Sequence, residues 1–283
     1  MSERTEVSGT RVAGVIGWPI GHSRSPALHN AAFKATGIDA VYAAFAVRPG
    51  DLAAALAGAR ALGFLGVNVT VPHKRAALAL CDEVSEVAAV TGAVNTVVVR
   101  DRRLWGTNTD VEGFDVSLGS RIVRRAVVLG AGGAAAAVVV ALNRRASRGD
   151  GGGGTAISVV ARDVDAARSL LNMGAFEALP WTAPALACTL AGADLLVDAT
   201  SAGLDETKER ALPAPIPLEA LATGALVCSL VYHRRPALLT AAAGRGLETL
   251  DGGAMLVHQA AAAFTLFTGV AAPLAAMRAA LAS

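Results

Sequence analysis

Ala126-Val-Val-Leu-Gly-Ala-Gly-Gly-Ala-Ala135 is the stretch whose reading decides the fold. Apolar residues run into a glycine turn, and a helical alanine/valine stretch follows, Gly133–Asn143. A buried strand that feeds a helix through close-set glycines suits a nucleotide. Glycine lets backbone amides approach a pyrophosphate, and the helix N-terminus attracts its charge. Gly130, Ala131, Gly132, Gly133 and Ala134 are therefore candidate cofactor contacts, with Ala135 where a third glycine often stands. Ile157–Val160, Leu195–Asp198 and Leu226–Ser229 repeat the strand signal downstream. That βαβ rhythm predicts a doubly wound parallel sheet. After its second strand come Arg162, which can pair with a 2′-phosphate, and Asp163, which can accept from a free 2′-hydroxyl. Arg162 favours NADP and Asp163 keeps NAD open.

Upstream of the turn a second alternating series precedes it. Arg11–Gly17, Val41–Val47 and Gly66–Thr70 read as strands. Ser25–Thr36 reads as a helix with serine capping and proline in its first turn. Asp51–Ala61 reads as a helix opened by an aspartate cap. Val94–Val99 and Leu104–Thr107 flank the polar Arg100-Asp101-Arg102-Arg103 and predict a hairpin. The fold class is α/β in two domains. Residues 1–109, completed by C-terminal helices over 256–283, are expected to form one domain. Residues 110–255 form the Rossmann-type other, and a cleft between them is expected. Ser147–Thr155, with its successive glycines, predicts a flexible surface loop.

Composition limits the functions open to the chain. It has 283 residues and a formal net charge of +2, with no basic arm to bind a polyanion, so nucleic-acid binding is not expected. Cys81, Cys188 and Cys228 are too few and scattered for a disulfide framework or a zinc site. They read as buried free thiols, and no metal is expected. The N-terminus lacks an apolar signal core, so a cytoplasmic location is expected. Gly252–Met277 has no charged side chain. Its glycine, threonines and Pro273 predict two buried helices rather than a membrane span.

The chemistry concentrates in Asn68-Val-Thr-Val-Pro-His-Lys74 and Asn108-Thr-Asp110. Each places one charged group among amides and hydroxyls at the end of an apolar run. A ketone oxygen gains negative charge as a hydride reaches its carbon, and a Lys/Asp pair can neutralise and protonate it. The plainer readings are a solvated lysine at a helix start and an aspartate that caps the next helix. The joint appearance of the two favours a site and a reversible hydride transfer.

Gly17-Trp-Pro-Ile-Gly-His-Ser-Arg-Ser-Pro26, Asn68–Lys74, Gly92-Ala-Val-Asn-Thr96, Asn108–Asp110, Gly130–Gly133 and Met255-Leu-Val-His-Gln259 together resemble the shikimate dehydrogenase family. The resemblance runs in order from about Arg11 to the C-terminal helices. It implies NADP-linked, reversible reduction of 3-dehydroshikimate to shikimate, a small-molecule substrate, and a monomer or homodimer. It also implies that Lys74 and Asp110 act as a coupled catalytic pair. Ser23 and Ser25 would hold the substrate carboxylate, Thr70, Asn95 and Gln259 its hydroxyls, and Tyr232 would approach from the nucleotide side. Thr200 and Gly253 join the expected cofactor contacts. The chain departs from the family pattern on that side. Ala161-Arg162-Asp163 replaces Asn-Arg-Thr or Asn-Arg-Ser, Asp198 replaces an asparagine, and Ser229 replaces an aspartate. The loop from Tyr232 to Pro236 is shortened. These changes keep open an NAD-preferring quinate or aminoshikimate dehydrogenase, and a shikimate-binding regulatory protein without turnover.

Overall fold

The elements follow the hydrophobic pattern closely in this computed structural model, which describes residues 9–149, 154–170, 173–202, 207, 209 and 212–282. The chain begins β1 (Arg11–Gly17), α1 (Ser25–Thr36), β2 (Ala40–Ala46), α2 (Leu52–Ala61), β3 (Gly66–Val69), α3 (Lys74–Leu78) and β4 (Glu83–Val84). Next come α4 (Glu86–Thr91), the pair β5 (Thr96–Arg100) and β6 (Arg103–Thr107), and α5 (Asp110–Ser117). The glycine-turn series is β7 (Arg125–Leu129), α6 (Gly133–Ser147), β8 (Ala156–Ala161), α7 (Val164–Arg168), β9 (Glu177–Pro180), α8 (Ala183–Leu190) and β10 (Leu195–Asp198). Last are β11 (Leu226–Ser229), α9 (Ala237–Gly244), β12 (Glu248–Leu250), α10 (Gly253–Thr268) and α11 (Leu274–Ala282).

Two compact units emerge. The first comprises Met1–Ser85, Val94–Thr107 and Ala260–Ser283, and the second Glu86–Ala93 and Asn108–Gln259. The first holds a mixed sheet in the order β2-β1-β3-β5-β6-β4. β1 pairs in parallel with both β2 and β3, and β3, β5 and β6 run antiparallel in turn. The predicted hairpin forms through Asp101 and Arg102, both left-handed at φ 48° and 57°. Two such residues give the turn whose twist matches that of the strands. Gly14 and Gly66 leave room for rings, since a Cβ there would strike Phe45 and Phe267 respectively.

The second unit holds a sheet in the order β12-β11-β10-β7-β8-β9. Every pairing in it is parallel. Numbered from β7, the order is 6-5-4-1-2-3, the doubly wound dinucleotide arrangement, with its switch point between β7 and β10. α6 is buried without a break from Ala135 to Leu142, as expected of a helix that is apolar all round. Arg145 closes one end of that packing. From a buried position its guanidinium donates to the Asp115 carboxylate at 2.8 Å and to the carbonyls of Asp115, Gly119 and Arg121.

Some local expectations are corrected. Ser25 does not cap α1: Arg24 holds the cap position without a side-chain bond, and Ser25 is the first helical residue. Asp51 ends a short 3-10 turn and makes no capping bond to α2. Asp110 likewise opens α5 from inside the helix, after Thr109. β4, β9 and β12 were not expected from the sequence, being too short or too polar to give a period. Cys228 is buried, but Cys188 is exposed on α8. The predicted glycine loop includes residues 150–153, which lie outside the described residues. Among those described, no helix is long and apolar enough to cross a membrane.

Candidate active site

In the first unit the sequence-predicted residues gather around the ends of β3 and β5. Thr70 continues the β3 ladder, its N–H donating to the Ile16 carbonyl at 2.9 Å. Its own carbonyl accepts the His73 N–H, a turn that leaves Lys74 as the first residue of α3. The Lys74 carbonyl accepts the Val94 N–H at 2.8 Å, so the backbone itself places Lys74 beside the Val94-Asn95 segment. His73 is buried and its ring bonds the Val47 carbonyl at 2.7 Å, which anchors the turn from below. Ser23 and Ser25 stand together at the start of α1, the Ser23 hydroxyl accepting the Ser25 N–H at 3.3 Å.

Asn95 is buried and sits in a polar cluster that sequence reasoning did not resolve. The Tyr42 hydroxyl donates to Asn68 Oδ1 at 2.7 Å. Asn68 Nδ2 donates to Thr96 Oγ1 at 2.9 Å and to the Asn95 carbonyl at 3.2 Å. The Thr96 hydroxyl donates to Asn95 Oδ1 at 2.8 Å. The Tyr42 phenol also takes a hydrogen bond from the Ser25 side chain; burial nevertheless pushes its pKa well up. His29 stacks flat on Tyr42, with ring centres 4.1 Å apart and planes 6° apart. Neither of its nitrogens has a hydrogen-bond partner, and burial lowers its pKa to about 3. The available signal was polar residues inside apolar runs. Tyr42, Asn68 and Thr96 all lie on strands whose neighbours are aliphatic.

In the second unit Asp110 and Gln259 lie on adjoining helices. Asp110 is buried at the head of α5, and its N–H donates to Asn108 Oδ1 at 3.0 Å. Asn108 Nδ2 in turn donates to the Ala93 carbonyl at 3.0 Å and to Thr91 Oγ1 at 3.2 Å. Three residues on, and so on the same face of the helix, Gly113 meets α10. A Cβ there would lie 2.8 Å from Gln259 Cβ, so glycine is what lets the two helices approach. Gln259 Nε2 donates to the Leu256 carbonyl at 2.9 Å. Tyr232 follows β11, partly buried and edge-on to His233.

The glycine turn fits a dinucleotide. Gly130 takes φ 103°, and a Cβ on it would come within 3.2 Å of Thr200 Cγ2 and 3.4 Å of the Ala199 backbone. Gly132 occupies the N-cap of α6 and offers no side chain to the first-turn amides. The turn therefore keeps both the open crease and the donor-rich helix start that a pyrophosphate needs, at the strand ends flanking the switch point. Thr200 belongs to the same region: its N–H and hydroxyl donate to the Asp198 carboxylate at 3.0 and 2.6 Å. Burial raises the Asp198 pKa, against these two hydrogen bonds, and Glu209 adds to the rise. Arg162 is exposed immediately beyond β8. Asp163 is engaged elsewhere: its carboxylate accepts the N–H groups of Asp165 and Ala166 as the N-cap of α7. Gly253 opens α10, its N–H donating to the Asp251 carboxylate at 2.9 Å.

This is an α/β protein whose second unit holds a doubly wound dinucleotide-binding sheet and whose first unit holds a buried cluster of hydroxyl and amide side chains. The family model described as the shikimate dehydrogenase substrate binding domain matches residues 15–97. That described as the shikimate 5'-dehydrogenase C-terminal domain matches residues 254–282. A protein of Moorella thermoacetica named shikimate dehydrogenase (NADP(+)) is 43% identical, covering 95% of this chain and 92% of its own. The shikimate dehydrogenase structure from Aquifex aeolicus superposes with a TM-score of 0.85 at 32% identity, over 97% of this chain and 98% of that one. The Thermus thermophilus shikimate 5-dehydrogenase, solved in complex with NADP(H) and shikimate, gives 0.84 at 35% identity, over 96% and 99%. The chain belongs to the shikimate dehydrogenase family.

Proposed function

We infer that the protein is an oxidoreductase that interconverts 3-dehydroshikimate and shikimate with NADP. The observation that carries this is the 43% identity, across 95% of the chain, to a protein named shikimate dehydrogenase (NADP(+)). In this reading residues 1–109 with 256–283 serve the substrate and residues 110–255 the cofactor. The enzyme works in the cytoplasm as a monomer or homodimer.

Lys74 and Asp110 are the proposed catalytic pair. The Lys74 ammonium hydrogen-bonds the reacting oxygen and stabilises the charge that develops on it. Together the two side chains carry the proton to that oxygen in reduction and remove it in oxidation. The hydroxyls of Ser23 and Ser25 take the substrate carboxylate. Thr70, Asn95 and Gln259 bond its ring hydroxyls, and Tyr232 lines the nucleotide side. NADPH, when bound, supplies the hydride to the carbonyl carbon. Gly130, Ala131, Gly132, Gly133 and Ala134 would receive its pyrophosphate, with Thr200 and Gly253 nearby. Arg162 would face the 2′-phosphate, as a planar donor suited to it. The capping role of Asp163 supports NADP, because its carboxylate already receives two backbone N–H groups.

Oxidation of shikimate by the purified protein, followed by nicotinamide absorbance, tests the reading. NADP and NAD are run in parallel, with quinate as the second substrate. Turnover of shikimate with NADP is expected to exceed every other pair. Preference for quinate or NAD assigns a paralogous activity, and silence with all pairs, together with shikimate binding, assigns a regulatory role.

A further inference from the structure

We propose that Tyr42 and Thr96 are positioning residues that hold the Asn95 side chain in a single amide orientation, with its NH2 end presented as a hydrogen-bond donor. The inference rests on the reading that Asn95 binds a substrate hydroxyl.

The directions of four hydrogen bonds in the cluster follow from one group that can only accept. The Asn95 backbone carbonyl lies 3.2 Å from Asn68 Nδ2, so the nitrogen end of that amide must face it. Asn68 Oδ1 then faces Tyr42, and an amide oxygen can only accept; the phenol must donate. The second hydrogen on Asn68 Nδ2 goes to Thr96 Oγ1. Thr96 accepts from Asn68, and its hydroxyl donates to Asn95 Oδ1 at 2.8 Å. That bond turns the oxygen of the Asn95 amide toward the strand and its nitrogen the other way.

The supports of the relay are themselves fixed. Asn30 clamps the backbone of Tyr42, donating to its carbonyl at 2.9 Å and accepting its N–H at 2.8 Å. His29 holds the phenol plane by stacking. Having no hydrogen-bond partner, it does not compete for the phenol proton. At the far end the Ser25 side chain bonds the phenol. The relay itself runs from Tyr42 through Asn68 and Thr96 to an asparagine proposed to take a hydroxyl; Ser25 has one proton, which goes either to the phenol or to a substrate carboxylate. A flipped Asn95 would take away the acceptor of the Thr96 proton, and would offer a substrate hydroxyl an acceptor in place of a donor. An amide in a buried site favours the orientation that keeps such a donor paired.

The test is a double-mutant cycle with shikimate as substrate. Thr96→Val removes the donor to Asn95 Oδ1 and is expected to raise the shikimate KM about 5- to 20-fold, the factor for one lost neutral hydrogen bond. kcat and the NADP KM are expected to change less than about twofold by the same scale. Thr96→Ser should restore the wild-type KM. In an Asn95→Ala background Thr96→Val should have almost no further effect, because its action passes through Asn95. Tyr42→Phe, one step farther back, should give a smaller rise of the same kind and serves if the valine variant does not fold. The NMR signals of the Asn95 side-chain amide, assigned through Asn95→Asp, give a readout independent of turnover. They should move in Thr96→Val and Tyr42→Phe and stay in place in Thr96→Ser. Unmoved signals in both variants, or an equal KM penalty with and without Asn95, would overturn the proposal. A wild-type protein that fails to oxidise shikimate while the amide signals respond would sink the functional reading and leave the relay standing.

Discussion

The two sheets solve burial in opposite ways. In the second unit β7, β8, β10 and β11 carry a nearly unbroken aliphatic interior against α6, and buried polar side chains such as Asp198 and Ser229 collect at strand ends. In the first unit polar side chains lie within or beside the strands: Tyr42, Asn68, Asn95 and Thr96 are all buried there and bonded to one another. An aliphatic sheet gives a rigid platform whose edge carries the function. A sheet with a satisfied polar seam uses its own interior to orient a side chain, at the cost that each partner must stay paired.

The contrast can be broken in several ways, and the largest effect should come from the proposed chemistry itself. Lys74→Ala is expected to lower kcat by about 10³-fold or more with a modest change in shikimate KM, because an interaction made mainly in the transition state acts on kcat. A near-normal kcat would remove Lys74 from the mechanism. The aliphatic unit should be most sensitive at Arg145, a buried cation bonded to a carboxylate and three carbonyls. Arg145→Met leaves the carbonyls of Gly119 and Arg121 and the Asp115 carboxylate short of donors, and should cost about 3 kcal/mol in denaturant unfolding. A loss below about 1 kcal/mol would show that water replaces the guanidinium.

His29 should distinguish the polar unit by pH. Its folded pKa of about 3 lies below the unfolded value of 6.5. The unfolded chain therefore binds the extra proton, and stability is lost as pH falls from 6.5 toward 3. The slope from this one group reaches about 1.4 kcal/mol per pH unit. His29→Phe should flatten that part of the stability curve, and an unchanged slope would mean that His29 finds a partner when protonated. A weaker effect is expected at the proposed cofactor contact. Arg162→Ala should raise the NADP KM about tenfold, the scale of one charge-assisted bond, and the NAD KM far less; equal rises would deny Arg162 the 2′-phosphate. The smallest change should follow Asp198→Asn, which removes a buried charge. The folded Asp198 pKa is raised by burial, so the carboxylate opposes folding above that pKa and ceases to do so below 3.8. The variant should be slightly more stable at pH 7 in denaturant unfolding, with the gain shrinking at pH 4; no difference at pH 7 would mean that the Thr200 bonds offset the burial of the charge.

Sequence alone made the second unit more legible than the first. The glycine turn and the βαβ period identify a parallel sheet because each strand is apolar on both faces, and the pattern needs no partner to be read. β9 and β12 escaped because edge strands of three or four residues carry no period. In the first unit Lys74, Asn95 and the serines could be named from their motifs. Their supports could not, since Tyr42 and Thr96 meet only through pairings between β2, β1, β3 and β5 that a linear reading does not supply. Asp163 adds what its charge alone did not show: its carboxylate accepts the backbone N–H groups two and three residues on, as the N-cap of α7.

The break in the first unit has a consequence for how it is made. α11 packs against α1, and the last carbonyls of α11, at Ala280 and Leu281, receive the Arg24 guanidinium. Phe267 fills the space above Gly66. Yet about 150 residues, Asn108–Gln259, separate these partners from the first 107. At synthesis rates of about 5–20 residues per second, the early strands wait roughly 8–30 s on the ribosome for the helices that cover them. During that interval α1 has no α11 beside it and Phe33 no Phe264, while the intervening parallel sheet can already close. The first unit is thus the one whose apolar helix face stays uncovered longest during synthesis.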